Sequence, residues 1–349
     1  MPRIASLATA VPSNEVPQAR AKEVATQVYK GIPELESLLR VFDRTGVETR
    51  YLVHPAEWYL EERSFDERSA EYCERALELG EKVVRECLGR AQIQPGQVDH
   101  IFFVTTTGLT TPSIDALLAH RLGFKQEIKR SPLFGLGCAG GTAALMRAHE
   151  YCKAFPKHRV LVLSIEICSL IFSTQATTPT DLIGVTLFGD GAAAALVVGD
   201  ETVHPGARIL FTKSVLFPES EELMGWEFTS DGMRLVLAPE IPEIVRTQVK
   251  EAVERFLLET AQPGGRVRHY LLHPGGPKIL DAYREAFGIE EGALRPIRES
   301  LKRYGNLSSA AVLFLLEELI ASGRARTGEK GLMVALGPGF AAEMLLLGW

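Results

Sequence analysis

The feature that most constrains the fold is an internal echo. A buried-strand pattern, "VDHIFFVTTTG" (98–108), is followed by a glycine turn and an Ala-rich helix pattern, "GLGCAGGTAALM". In the second half "HYLLHPGG" (269–276) is followed by "YGNLSSAAVLFLL". The spacing is the same, 36 residues from Ile101 to Gly137 and 36 from His269 to Gly305. A repeat of this length implies two copies of one βαβ-rich unit rather than a short-period solenoid. The spacing aligns Gly137-Cys138 with Gly305-Asn306.

The remaining patterns fit that frame. Residues 15–40 read as helical with Pro33 interrupting, and 67–91 as a long amphipathic helix with apolar residues every three or four positions. Residues 113–123 read as a helix capped by Ser113 and closed by Gly123, and 138–155 as a further helix. Residues 159–167 form a core strand, and "FGDGAAAALVVG" (188–199) a turn and a strand. The second half gives a helix over 304–323 and strands over 330–339 and 340–349. The stretch 168–187 has no counterpart in the second half, and insertions of this length tend to carry function.

Composition excludes several classes. Among 349 residues, 46% are apolar and 23% charged, as in an ordinary globular enzyme. The net charge of −6 argues against general nucleic-acid binding but leaves room for a local basic patch. No apolar run is long enough to span a bilayer. The N-terminus lacks the pattern of a signal peptide, so a cytoplasmic protein is expected. Cys73, Cys87, Cys138, Cys152 and Cys168 are odd in number and widely spaced, which predicts no zinc or other metal site. Most read as buried small hydrophobes.

Cys138 is the exception. Gly135-x-Gly137-x-x-Gly140 has the spacing of a dinucleotide-binding loop, and Glu166 stands where a ribose-binding acid could. Yet the preceding "IKRSPLFGLG" is a poor central strand, and "YGNLSS" repeats no such glycine set. A cysteine at a helix N-terminus has a different logic: the positive end of the helix favours the reactive thiolate, and nearby N–H groups can bind an oxyanion. A thiolate needs a proton acceptor. His273 ends an apolar strand and should point into the cleft of Cys138, although it could also cap its own turn. Asn306 takes the Cys138 position of the second half, although it could serve as a helix cap. Together the imidazole and carboxamide could donate hydrogen bonds to an enolate oxygen. That equipment suits decarboxylation of a malonyl thioester and condensation onto an acyl-cysteine.

The motifs "GLGCAGG", "LFGDGAAA", "LLHPGGPKILD", "YGNLSSAAVLF" and "GPGFAAE" occur in one order over roughly residues 5–349. In these the chain resembles the type III polyketide synthases, the chalcone and stilbene synthase family. "TTTGLTTPS" and "GLGCAGG" make it look most like the bacterial alkylpyrone and alkylresorcinol synthases. The resemblance implies a thiolase-like α/β fold, with halves 1–205 and 206–349 forming a five-layered αβαβα core, in a homodimer. It implies an acyl-CoA starter loaded on Cys138, with His273 and Asn306 assisting malonyl-CoA decarboxylation, and neither a cofactor nor a carrier protein. Phe188 would be the aromatic gatekeeper, although it also reads as a core aromatic. Arg40 and Arg44 would meet the CoA phosphates, with Ser37 replacing a third basic residue. Leu235 replaces a second gatekeeper aromatic, which would remove an aromatic wall. Thr106 and Thr107 would line the site, Thr111 would reach across the dimer interface, and Cys168 would leave room for a tunnel. Small walls favour a fatty acyl starter, extended by malonyl-CoA and closed to an α-pyrone or a resorcinol. The alternatives are a single-condensation ketoacyl synthase or thiolase-like acyltransferase and, more distantly, a nucleotide-binding oxidoreductase.

Overall fold

The computed structural model describes residues 1–32, 35–172, 179–229, 232–260 and 267–349. Pro33 and residues 173–178 of the expected insertion therefore lie outside the described residues. The strands are β1 (Arg3–Ala10), β2 (Asn14–Pro17), β3 (Thr49–Leu52), β4 (His100–Val104), β5 (Lys129–Leu133), β6 (Arg159–Ile167), β7 (Asp190–Val198), β8 (Ala207–Leu216), β9 (Met224–Thr229), β10 (Gly232–Leu237), β11 (Val267–Leu272), β12 (Lys330–Gly337) and β13 (Ala341–Gly348). The helices of the first half are α1 (Gln18–Val28), α2 (Leu35–Leu39), α3 (Phe65–Ala91), α4 (Ile114–Leu122), α5 (Gly140–Ala154) and α6 (Pro179–Leu187). Those of the second half are α7 (Ile241–Ile244), α8 (Lys250–Glu259), α9 (Pro277–Phe287), α10 (Glu291–Tyr304) and α11 (Ala311–Ala321).

The repeat is visible in the sheet. Its order is β11-β12-β13-β8-β1-β7-β6-β4-β5. Outward from the centre, β1-β7-β6-β4 and β8-β13-β12-β11 run in the same order and with the same parallel and antiparallel pairings. Within the sheet the two halves pair at Arg3 opposite Arg208 and Ile4 opposite Ala207. Period-two alternation explains how each half buries two faces. On β6, Val160 and Val162 belong to the central core, while Leu161, Leu163 and Ile165 belong to the outer core under α3. Helices α5 and α11 pack against strands of both halves, and α3 and α4 cover the outside of the first. Helix α10 lies on β11, with α9 beside it. The layers therefore run helix, sheet, helix, sheet, helix, the thiolase-like arrangement.

Several boundaries differ from the sequence reading. Residues 15–40 are not continuously helical, because Asn14–Pro17 pair with β3 before α1 begins. Ser113 precedes α4 without a side-chain cap, whereas Gly123 closes it in the left-handed conformation. The segment "KRSPL" is a strand after all, but an edge strand, which a proline tolerates. Helix α3 starts on a capping box, Glu67 Oε2 accepting from Ser64 N at 2.8 Å.

Candidate active site

Two short 3₁₀ turns face each other in the central helical layer. Gly137–Ala139 leads into α5, and Ser308–Ala310 leads into α11. Cys138 therefore lies on the turn before the helix. The two turns do not align as the equal spacing suggests. Gly137 and Ser308 share a φ of 49°, so Cys138 is equivalent to Ser309, and Asn306 lies three residues earlier. The glycines serve the meeting of these turns. A Cβ on Gly137 would lie 2.5 Å from Pro338 Cδ, and one on Gly141 would lie 2.1 Å from the Ser309 carbonyl oxygen. The close approach is thus to the chain's own backbone and side chains, and the dinucleotide reading loses its cradle.

Cys138 lies on the turn that faces Asn306. The Cys138 thiol donates to Ser308 Oγ at 3.8 Å, and the Asn306 side chain lies near enough to favour the thiolate. Asn306 Oδ1 accepts from Ser308 N at 2.8 Å, so it holds its own turn without being the helix cap, a position taken by Leu307 with no side-chain bond. The backbone of Asn306 is fixed against the segment around Phe188, its N donating to Leu187 O at 2.8 Å and its O accepting from Gly189 N at 3.1 Å. His273 follows β11 and is tied by its N to Val334 O at 2.9 Å. It is buried, and neither ring nitrogen has a hydrogen-bond partner among the described residues. It does not hydrogen-bond Cys138.

Electrostatics depart from the helix-terminus expectation. Burial pushes the Cys138 thiol up to about 12, opposed by the hydrogen bonds of Ser308 and Asn306 and reinforced by the charge of Glu166. Burial alone pulls His273 down to about 3. Cysteine and histidine are both neutral at rest, and an imidazole with two unmet nitrogens is placed to hydrogen-bond an incoming carbonyl.

Glu166, considered above as a ribose acid, is instead the buried hub of this site. Its carboxylate accepts from Thr106 N at 3.0 Å, from Ser308 Oγ at 3.4 Å and from Ser309 Oγ. Burial raises it to about 7. A polar chain therefore runs from Cys138 through Ser308 to Glu166. Sequence signals existed in the "SS" after Asn306 and the lone acid in an apolar strand, but nothing in them paired the two.

The remaining candidates separate. Thr106 contributes its backbone N to Glu166, and Thr107 Oγ1 accepts from Ile167 N at 2.8 Å, so both are buried framework at this site. Cys168 is buried close enough to Cys138 and Glu166 to feel their charges. Leu235 is buried opposite Trp226 across β9 and β10. That pairing overturns the expected loss of an aromatic wall, because Phe172, Phe188 and Trp226 form a triangle with all three centroid separations at 6.2 Å. Arg50, which the sequence reading missed, is buried and clamps this wall. It donates to Val185 O, Thr186 O (2.7 Å), Phe188 O (3.2 Å) and Gln18 Oε1. Thr111 is exposed, and Arg40 and Arg44 are exposed and outside any ion pair among the described residues.

Residues 2–201 match the family of chalcone and stilbene synthases, N-terminal domain, and residues 208–348 match the C-terminal domain. The chain belongs to the chalcone and stilbene synthase family. A putative chalcone synthase of Bacillus subtilis (strain 168) is 39% identical, covering 99% of this chain and 98% of that protein. The 1,3,6,8-tetrahydroxynaphthalene synthase of Streptomyces peucetius subsp. caesius is 35% identical, covering 99% and 93%. The crystal structure of 1,3,6,8-tetrahydroxynaphthalene synthase from Streptomyces coelicolor A3(2), a bacterial type III polyketide synthase, superposes with a TM-score of 0.94 at 32% identity over 99% of both chains. The chain is thus a type III polyketide synthase. No described helix is long and apolar enough to cross a membrane.

Proposed function

We propose that this synthase loads an acyl-CoA starter on Cys138 and extends it with malonyl-CoA by decarboxylative condensation. The observation that carries the reading is the meeting of the Cys138 and Ser308 turns, with the thiol 3.8 Å from Ser308 Oγ and Asn306 Oδ1 holding Ser308 N, in a chain that also buries His273 with no partner for either ring nitrogen among the described residues. The thiol transfers its proton as its sulfur attacks the starter thioester, and CoA leaves as the thiol. His273 is the acceptor, drawn to the thiol by the arriving substrate. Asn306 and His273 then donate to the thioester oxygen of malonyl-CoA as carbon dioxide leaves and an enolate forms. The enolate carbon attacks the acyl-Cys138 carbonyl, and the thiolate departs.

Exposed Arg40 and Arg44 meet the CoA phosphates. Because CoA itself carries the acyl groups, neither a cofactor nor a carrier protein enters the scheme. Exposed Thr111 and the neighbouring Leu109, 55% exposed, form the face offered to a second copy of the chain. The starter is a fatty acyl group, and closure gives an α-pyrone or a resorcinol. This reading keeps the affinity of "TTTGLTTPS" to alkylpyrone and alkylresorcinol synthases. A second reading, a small starter closing to a fused aromatic product, is favoured by the bulk of Trp226 against Phe188.

The test is incubation with acyl-CoAs of increasing length and labelled malonyl-CoA, with products read by mass spectrometry. Long-chain products that require Cys138 support the fatty acyl reading, and products from short starters alone support the second. Condensation persisting in Cys138→Ala removes the mechanism, whereas Cys138→Gln should retain malonyl-CoA decarboxylation.

A further inference from the structure

Helix α9 buries a hydroxyl that nothing satisfies. Tyr283 is fully buried in the main core, its ring stacked on Phe287 with the centroids 5.6 Å apart. The hydroxyl has no hydrogen-bond partner among the described residues. A buried hydroxyl in that state destabilises the fold, and phenylalanine would fill the same space without the penalty. Burial and the charge of Cys138 hold the phenol well above its ordinary range, so it stays protonated, and it lies near enough to Cys138 to feel that charge.

The helix starts from the loop that carries His273. A Cβ on Gly275 would lie 3.5 Å from Ile279 Cγ1 and 3.6 Å from His273 Cδ2, so the first turn of α9 packs beside the imidazole. Tyr283 follows Ile279 by four residues, on the same face of the helix. The first half of the molecule holds a satisfied version of this pair. Thr105 follows β4 as His273 follows β11, and the hydroxyl of buried Tyr72 donates to Thr105 Oγ1 at 2.8 Å. In the second half the residue after the strand is an imidazole with both nitrogens unmet among the described residues. We propose that Tyr283 is a positioning residue for His273: its hydroxyl pairs with one ring nitrogen as the imidazole turns to the reacting centre, and leaves the other nitrogen to the thiol and the thioester oxygen. A hydroxyl donates or accepts, so it suits either tautomer of the neutral ring, and as an acceptor it supports the protonated ring. No proton passes onto or off the tyrosine. This role rests on those proposed for His273 above.

Tyr283→Phe removes the hydroxyl and keeps the ring. Urea unfolding and malonyl-CoA decarboxylation are compared in wild type, Tyr283→Phe, His273→Ala and the double variant. The urea midpoint of Tyr283→Phe should hold or rise, because an unmet buried group is removed. Its kcat should fall about ten-fold with KM unchanged, the rate equivalent of one hydrogen bond. In the His273→Ala background the same substitution should change the rate no further. Histidine-selective nitrogen NMR gives a readout independent of turnover: the ring signals missing from His273→Ala should shift in Tyr283→Phe. A wild-type rate, unshifted ring signals or an equal fall in both backgrounds overturns the positioning role alone. A lowered urea midpoint also overturns it, because the hydroxyl would then have a structural partner. Decarboxylation at the wild-type rate in His273→Ala overturns both this role and the proposed part of His273 in the reaction.

Discussion

Gly141→Ala isolates the contact on which the two facing turns depend. The added Cβ would lie 2.1 Å from the Ser309 carbonyl oxygen and 3.4 Å from Val312 Cγ2. Real contacts of this kind essentially never fall below 3.0 Å, so the turns must separate by about 1 Å. The obstructing atom is backbone and cannot swing aside. Overpacking of this kind costs up to about 3 kcal/mol, and the better helix propensity of alanine returns about 1 kcal/mol. The net expectation is a loss of about 2 kcal/mol, with sterics prevailing over propensity. Function should suffer more than stability, because a 1 Å displacement of reacting groups costs about 100-fold in rate. Gly292→Ala is the matched control, also at the second position of its helix but with nothing within 4 Å. It should gain up to about 1 kcal/mol. Urea unfolding measures both variants, and malonyl-CoA decarboxylation measures the site. If Gly141→Ala matches Gly292→Ala in stability and the wild type in rate, the account of the facing turns is wrong.

Glu166→Gln should move the iodoacetamide reactivity of Cys138 to lower pH, because the Glu166 charge raises that thiol. The wild-type carboxyl stands at about 7 against an ordinary 4.5, so the folded state holds its proton more tightly than the unfolded chain. The resulting stability is fully present below pH 4.5 and is lost as pH rises towards 7, and urea midpoints across that window should flatten in the variant. Trp226→Ala should open the aromatic triangle and yield products heavier by at least one malonyl-derived unit. An unchanged product mass would show that Trp226 does not limit the growing chain. Arg50→Met strips hydrogen bonds from buried carbonyls and should cost about 3 kcal/mol by thermal or urea unfolding. A loss below about 0.5 kcal/mol would show that water replaces the clamp.

Much of the fold was legible because its signals are periodic. The alternation along β6 and the three-four spacing of α3 are imposed by which face is buried, and repetition of the strand-turn-helix unit exposed the two halves. The motifs around Cys138, His273 and Asn306 were legible as single segments. Their registration was not. Equal spacing of 36 residues aligned Asn306 with Cys138, but in chain order the helix α10 stands where the strand β5 stands in the first half, and the turn equivalent to Gly137 falls at Ser308. Residues that act across the chain were also hidden. Trp226 restores the aromatic wall from a neighbouring strand, Glu166 is satisfied by serines about 140 residues away, and Arg50 clamps carbonyls more than 130 residues distant. Such pairings are tertiary and leave no local pattern.

The central claim is that Cys138 carries the growing chain, and intact-protein and peptide mass spectrometry after brief incubation with one acyl-CoA tests it directly. The account predicts one acyl adduct per chain, mapped to Cys138 and absent in Cys138→Ala, with decarboxylation and condensation impaired in His273→Ala and Asn306→Ala. An adduct on Cys168 or another residue, or product formation with no covalent acyl-enzyme, would contradict it.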